Sequence, residues 1–312
     1  MKDFRAYLQT KNLSESTQDY YLFHVNRFLE WFGDEVMNCD KKDILKYLAY
    51  LKNNRNQQNI TRRNNLIALN HYFTFLVQNE IIQTNPATLL KIRGTQRKRL
   101  YKIYTIEQLE QLHDDFYHAF IRGFDENHIP KNQRKPSFLN RQRNYIMLGF
   151  LIYQGLATNE LQKISLTDID LNKAQVHIAG GKTGSERMIP LNASQIGSLM
   201  VYMQNIRPQF LDYRNDESNQ LFLPLPETGK AHTNSLNIMS IIKPLTRQVR
   251  SLTPGLTRLA QIRASVITYW IKNYGLRKTQ YLAGHKHINS TENYLPNDLE
   301  SLSEDVTKFN PF

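Results

Sequence analysis

The sequence has one cysteine, Cys39, and no apolar run close to the ~18 residues needed to cross a bilayer. A single thiol excludes a disulfide framework and any cysteine-based metal cluster. The amino-terminal stretch MKDFRAYLQT lacks the apolar core of a signal peptide. No basic amphipathic helix carries an aromatic anchor face, which argues against a membrane surface as partner. A reducing, cytoplasmic location is the expectation. Acids are also scarce: 28 Asp and Glu stand against 40 Lys and Arg, a formal net charge of +12. Such an excess favours a polyanionic partner, nucleic acid above all, over the alternative of a merely basic, well-solvated surface. Hydrophobic residues make up 40% and charged residues 22%, as in ordinary globular chains. At roughly 100–200 residues per domain, 312 residues suggest two domains.

Residues 1–90 read as helical. Ser14 and Ser16 precede a periodic stretch in which Tyr21, Val25, Phe28, Leu29 and Phe32 form one apolar face. A second helix opens at Lys41, Lys42 and Asp43. A third starts near Ile60 and runs to about Glu80, and Asn85-Pro86 closes the segment. Arg62, Arg63 and Asn64, at the start of the third helix, are candidate groove contacts; solvated cap residues are the other reading. Residues 91–102 carry Lys91, Arg93, Arg97, Lys98, Arg99 and Lys102 with no acid. They read as a basic linker able to track phosphates, or simply as a solvated connector.

From residue 103 the pattern changes. Thr105 caps an amphipathic helix, and a basic loop is expected around Pro130 and Pro136. LNRQRNYIMLGFLIYQGL follows as a buried helix. The period then switches to two: DIDLNKAQVHIAGG and SERMIPLN predict two strands joined by the turn GGKTG. Three further helices follow, then the short helix LRKTQYLAG and a tail from about residue 299, with Val306, Phe309 and Phe312 spaced among polar residues.

Several chemistries are missing. A phosphate-binding loop needs a glycine five positions before Gly181-Lys182, where Val176 stands. His285 and His287 have no further ligand at metal spacing, and no nucleophile-elbow serine is present. No metal or other cofactor is expected. Lys182, at the hairpin tip, either reaches into a site or remains a solvated turn lysine. Arg263 lies in a helix that is apolar on both sides: Leu259, Ile262, Val266, Ile267 and Trp270. A guanidinium there is costly unless it meets an anion or lines a cleft. Nine residues after His285 comes Tyr294.

In this order the pieces resemble the tyrosine recombinase (phage integrase) family over nearly the whole chain. LSESTQDYYLFHVNRFLEWF and TRRNNLIALNHYFTFLVQNEIIQTNPA resemble its helical core-binding domain. LIYQGLATNELQKISLTDIDL resembles the first box of the catalytic domain, GGKTGSERMIPL the hairpin, LAQIRASVITYW the second box and LAGHKHINSTENYL the third. The resemblance implies a mainly α fold with a small β-sheet: a SAM-like helical domain, then a mixed catalytic domain over 103–312. It implies that Tyr294 attacks a DNA phosphodiester to give a 3′-phosphotyrosyl link and a free 5′-hydroxyl, with bond energy conserved. Lys182 would be the general acid, Arg263 would hold the non-bridging oxygens, and His285 would hydrogen-bond the phosphate. It also implies two domains embracing a DNA duplex, and a monomer that forms a homotetramer on two synapsed sites through its tail. Integration, excision or transposition of a DNA element, at the nucleoid, is the expected role.

Three positions depart from the family pattern. The first-box arginine is Ala157, and the second-box histidine is Ala260; Ala264 also replaces a frequent histidine. Arg187, then Arg258, are the candidates to replace the missing arginine. The alternative is a catalytically inactive, recombinase-like DNA-binding or regulatory protein.

Overall fold

The computed structural model describes residues 1–94, 101–182, 184–214, 217–225 and 238–297. They divide into two compact units, Met1–Lys98 and Arg99–Phe312.

The first unit is helical: α1 Lys2–Thr10, α2 Glu15–Phe32, α3 Lys41–Asn53 and α4 Asn59–Gln78. Each start has a local cause. The Ser14 side chain accepts the Thr17 N–H to cap α2, and Asp40 and Asp43 form a reciprocal capping box at α3. Val25 and Phe28 point fully inward from the apolar face read in the sequence, while Tyr21, Leu29 and Phe32 pack partly buried beside them. Phe28 meets Tyr47 and Phe73 edge-on, at 5.1 and 5.9 Å between ring centres.

The second unit begins with α5, Ile106–Phe116, opened by a Thr105 capping box. Next comes α6, Lys131–Tyr153, whose final turns from Ile146 to Ile152 are wholly buried. The basic loop expected around Pro130 and Pro136 is instead the start of this helix. Pro130 occupies the N-cap and Pro136 lies inside, where its missing N–H falls on the half-exposed first turns. The short helix α7, Thr158–Leu161, leads to a three-stranded antiparallel sheet: β1 Ile169–Asp170, β2 Gln175–Ile178 and β3 Arg187–Pro190. The sequence predicts two strands here. The first splits because Asp170 accepts the Lys173 N–H and Ala174 takes a left-handed φ of 48°, which turns the chain between β1 and β2.

The remaining helices are α8 Ala193–Val201, α9 Arg207–Leu211, α10 Ile238–Leu252, α11 Ala260–Ala283 and α12 Ile288–Glu292. α11 is interrupted at Gly275 (φ 75°, ψ 169°), so the short helix predicted after it is its second stretch. α11 packs against α5, α6, β3 and α12. That placement brings the first box, the hairpin and the third box around Arg263. Among the described residues no helix is long and apolar enough to cross a membrane.

Candidate active site

The centre of the site is a carboxylate. Glu160, on the one-turn helix α7, reaches back to accept the Ala157 N–H at 2.7 Å. Its Oε1 accepts from Arg187 Nη1 at 2.8 Å, and its Oε2 pairs with Arg263 Nη1 at 3.3 Å. Burial alone would raise the Glu160 carboxyl. The Arg187 hydrogen bond, the charges of both arginines and the Ala157 N–H outweigh it and hold the group below the usual carboxylate range. Two guanidinium charges against one carboxylate leave a net positive charge.

Arg263 leaves the buried face of α11 between Ile262 and Ala264. Its Nη1 also donates to the Gly155 carbonyl, and its Nη2 to the Ala283 carbonyl at 2.8 Å. Gly155 can approach because it has no side chain: a Cβ there would stand 2.8 Å from the Trp270 ring. Its φ of 56° is also one that glycine adopts without strain. Arg187, on β3, is fully buried and donates Nε to the Leu282 carbonyl at 2.8 Å. Its Nη2 is buried without a hydrogen-bond partner among the described residues. The guanidinium lies over Gly284, where a Cβ would stand 2.6 Å from Arg187 Cζ.

His285 follows. Its Nε2 lies 3.4 Å from Arg263 Nη2 and its Nδ1 2.9 Å from Thr291 Oγ1. A guanidinium can only donate, so Nε2 accepts here and Nδ1 carries the proton to Thr291. Burial, then the charges of Arg263 and Arg187, push the imidazole down to about 4, against a partial offset from Glu160. The ring is therefore neutral near pH 7. Tyr294 stacks on it, with ring centres 5.8 Å apart and planes 14° from parallel. The hairpin joins at the same place: Ser185 N–H donates to the Gly284 carbonyl at 2.9 Å, and Gly184 bridges to His285. Lys182 is exposed on that turn.

Four predicted residues thus meet: Arg263 touches His285, His285 stacks on Tyr294, and Arg187 joins Arg263 through Glu160. Lys182 lies two residues from the Gly184–His285 bridge. Arg258 is exposed in the turn before α11, its N–H taken by Gln261 Oε1, with no hydrogen bond or ion pair to this cluster among the described residues. Arg62 is tied to the Leu48 carbonyl and to Asn59, whereas Arg63 is exposed and Asn64 half-buried on α4. Arg97, Lys98 and Arg99 lie outside the described residues. Sequence reasoning does not single out Glu160 or Thr291. The only signals are the glutamate three residues after Ala157 and the threonine three residues before Tyr294. No group of three or more His, Cys, Asp or Glu side chains suited to a metal occurs among the described residues.

Comparison with known proteins identifies the family. Residues 1–83 match the phage integrase N-terminal SAM-like domain, and residues 121–300 match the phage integrase family. The tyrosine recombinase XerC of Natranaerobius thermophilus is 27% identical over 99% of this chain and 97% of its own length. The tyrosine recombinase XerA of Thermococcus kodakarensis is 24% identical over 97% of this chain and 92% of its own. The fold is similar to that of the XerH site-specific recombinase bound to a palindromic difH substrate, with a TM-score of 0.67 and 19% identity over 95% of this chain and 81% of that one. It is also similar to the Tn1549 transposon integrase in complex with circular intermediate DNA, with a TM-score of 0.59 and 17% identity over 96% and 98%. This chain belongs to the phage integrase family.

Proposed function

We propose that the protein cuts and rejoins DNA at specific sites through a 3′-phosphotyrosyl intermediate. Tyr294 Oη attacks the phosphorus and its phenolic proton passes to water. The 5′-oxygen departs with a proton from Lys182. A 5′-hydroxyl of a second strand then attacks the phosphotyrosine and releases Tyr294, so one phosphodiester replaces another. Arg263 holds the non-bridging oxygens. An oxygen that draws Arg263 away from His285 Nε2 frees that nitrogen; with its proton moved to Nε2, the ring donates to the phosphate. Arg187 is better suited to positioning than to replacing the missing arginine, because its side chain is fully buried and bonded to Glu160 and Leu282.

The observation that carries this reading is the chain of contacts from Arg263 through His285 to the Tyr294 ring, with the hairpin bridged to His285. The partner is double-stranded DNA. We further infer that the helical domain over 1–90 and the catalytic domain over 103–312 both contact the duplex. Free monomers would assemble into a homotetramer on two synapsed sites, in the cytoplasm at the nucleoid. Sedimentation with DNA should show species beyond a 1:1 complex.

A nicked suicide substrate, built from the inverted repeats flanking the coding sequence, tests the chemistry. Wild-type protein should form a covalent adduct, and Tyr294→Phe should bind without forming one. Binding without any adduct would favour the second reading, a non-catalytic DNA-binding protein, which rests on Ala157.

A further inference from the structure

A phosphorane developing between Tyr294 and the leaving oxygen needs more than one cation, and Ala157 supplies none. Arg187 is fully buried and Arg258 lies outside the cluster. Lys163 remains. It falls three residues after Glu160 and six after Ala157, in the turn that continues from α7, with its N–H donating to the Glu160 carbonyl at 2.9 Å. The side chain is exposed and makes no ion pair among the described residues. Its ammonium rests against the catalytic hairpin: a Cβ on Gly181 would come within 3.3 Å of Lys163 Nζ. Gly181 immediately precedes Lys182. Its N–H closes the turn on the Gly184 carbonyl at 2.8 Å, and Gly184 bridges to His285. One turn therefore has Lys163 at one end and His285 at the other. An unpaired ammonium on a flexible four-carbon stem can swing from the hairpin backbone to a phosphate oxygen.

We propose that Lys163 contacts the scissile phosphate and supplies the positive charge that Ala157 does not. The inference rests on the reading of the chain as a DNA-cleaving enzyme, yet its binding arm can fail separately. Lys163 donates hydrogen bonds and takes no part in bond making, so the atoms balance as in the transfer above.

Adduct formation on the nicked substrate should slow about 10²-fold in Lys163→Met, while Lys163→Arg retains most of the rate. In an Ala157→Arg background, where the arginine is restored, Lys163→Met should cost much less than in the natural background. Its melting midpoint should match wild type, because the side chain is exposed. The slope of log affinity against log salt should fall by about 1. If wild type forms no adduct but Lys163→Met flattens the salt slope, the enzyme reading fails while the phosphate contact stands. If wild type forms adduct and Lys163→Met matches it in rate and salt slope, or costs the same in both backgrounds, the inference is overturned.

Discussion

Arg187 and Arg263 each hold one oxygen of the same carboxylate, Glu160, at 2.8 and 3.3 Å. Glu160 therefore ties the hairpin strand to the second box, and its removal would leave two guanidinium groups uncompensated. Glu160→Ala should lose about 3–5 kcal/mol in urea unfolding, the usual cost of breaking a buried pair. A loss below about 1 kcal/mol would mean that the arginines are held by their backbone acceptors alone.

Gly284 decides how Arg187 lies. It takes a φ of 68° and leaves no space for a side chain beneath the guanidinium. Gly284→Ala should cost at least about 1 kcal/mol from the left-handed backbone alone. It should also push Arg187 off Glu160, so that adduct formation falls while DNA binding persists. An unchanged cleavage rate would separate Arg187 from the reaction.

The pH response of His285 follows from its surroundings. Its folded value of about 4 lies below the ordinary 6.5. Between these values the unfolded chain binds more protons than the folded one, so this group favours unfolding increasingly as pH falls from about 6.5 to about 4. Above about 6.5 it adds no pH dependence. NMR titration of the ring should show a midpoint near 4, and a midpoint near 6.5 would contradict the burial.

His177 behaves oppositely. Its Nδ1 lies 2.8 Å from Asp168 and its Nε2 2.8 Å from Glu186, the residue before β3. The Asp168 hydrogen bond, then that of Glu186, raises its titration. This clip on the hairpin is complete below the ordinary value and weakens as pH rises through the raised one. Hydrogen exchange of the hairpin amides, corrected for intrinsic rates, should quicken across that window. His177→Gln should remove the step.

On α4, neighbouring arginines should part company. Arg62 bonds to the Leu48 carbonyl and Asn59, so Arg62→Ala should destabilise the chain by about 1 kcal/mol. Arg63 is exposed, so Arg63→Ala should leave melting unchanged and reduce the salt slope of DNA binding by about 1. Equal effects from both would remove the distinction.

Much of this was legible in the sequence because it is written locally. Apolar spacing gave the face of α2, Thr105 marked the start of α5, and the boxes around Gly155, Lys182, Arg263 and Tyr294 kept their order. The proline-containing start of α6 was not legible. A proline signals a break, yet the buried turns from Ile146 to Ile152 stabilise the helix beyond the range of local propensity. The Ala174 turn is not legible in the sequence because nothing in the residue type announces a left-handed backbone.

The sequence by itself determined the helical first unit, the switch to strands, the basic charge and the inventory of reactive side chains, since each depends on neighbours within a few positions. Only the tertiary structure decided which cations are spent and which are open. Arg187 and Lys163 look alike as letters. One is buried against a carboxylate 27 residues away, and the other lies exposed against a glycine on a different turn. Burial and pairing over such separations arise from packing, which no local pattern records.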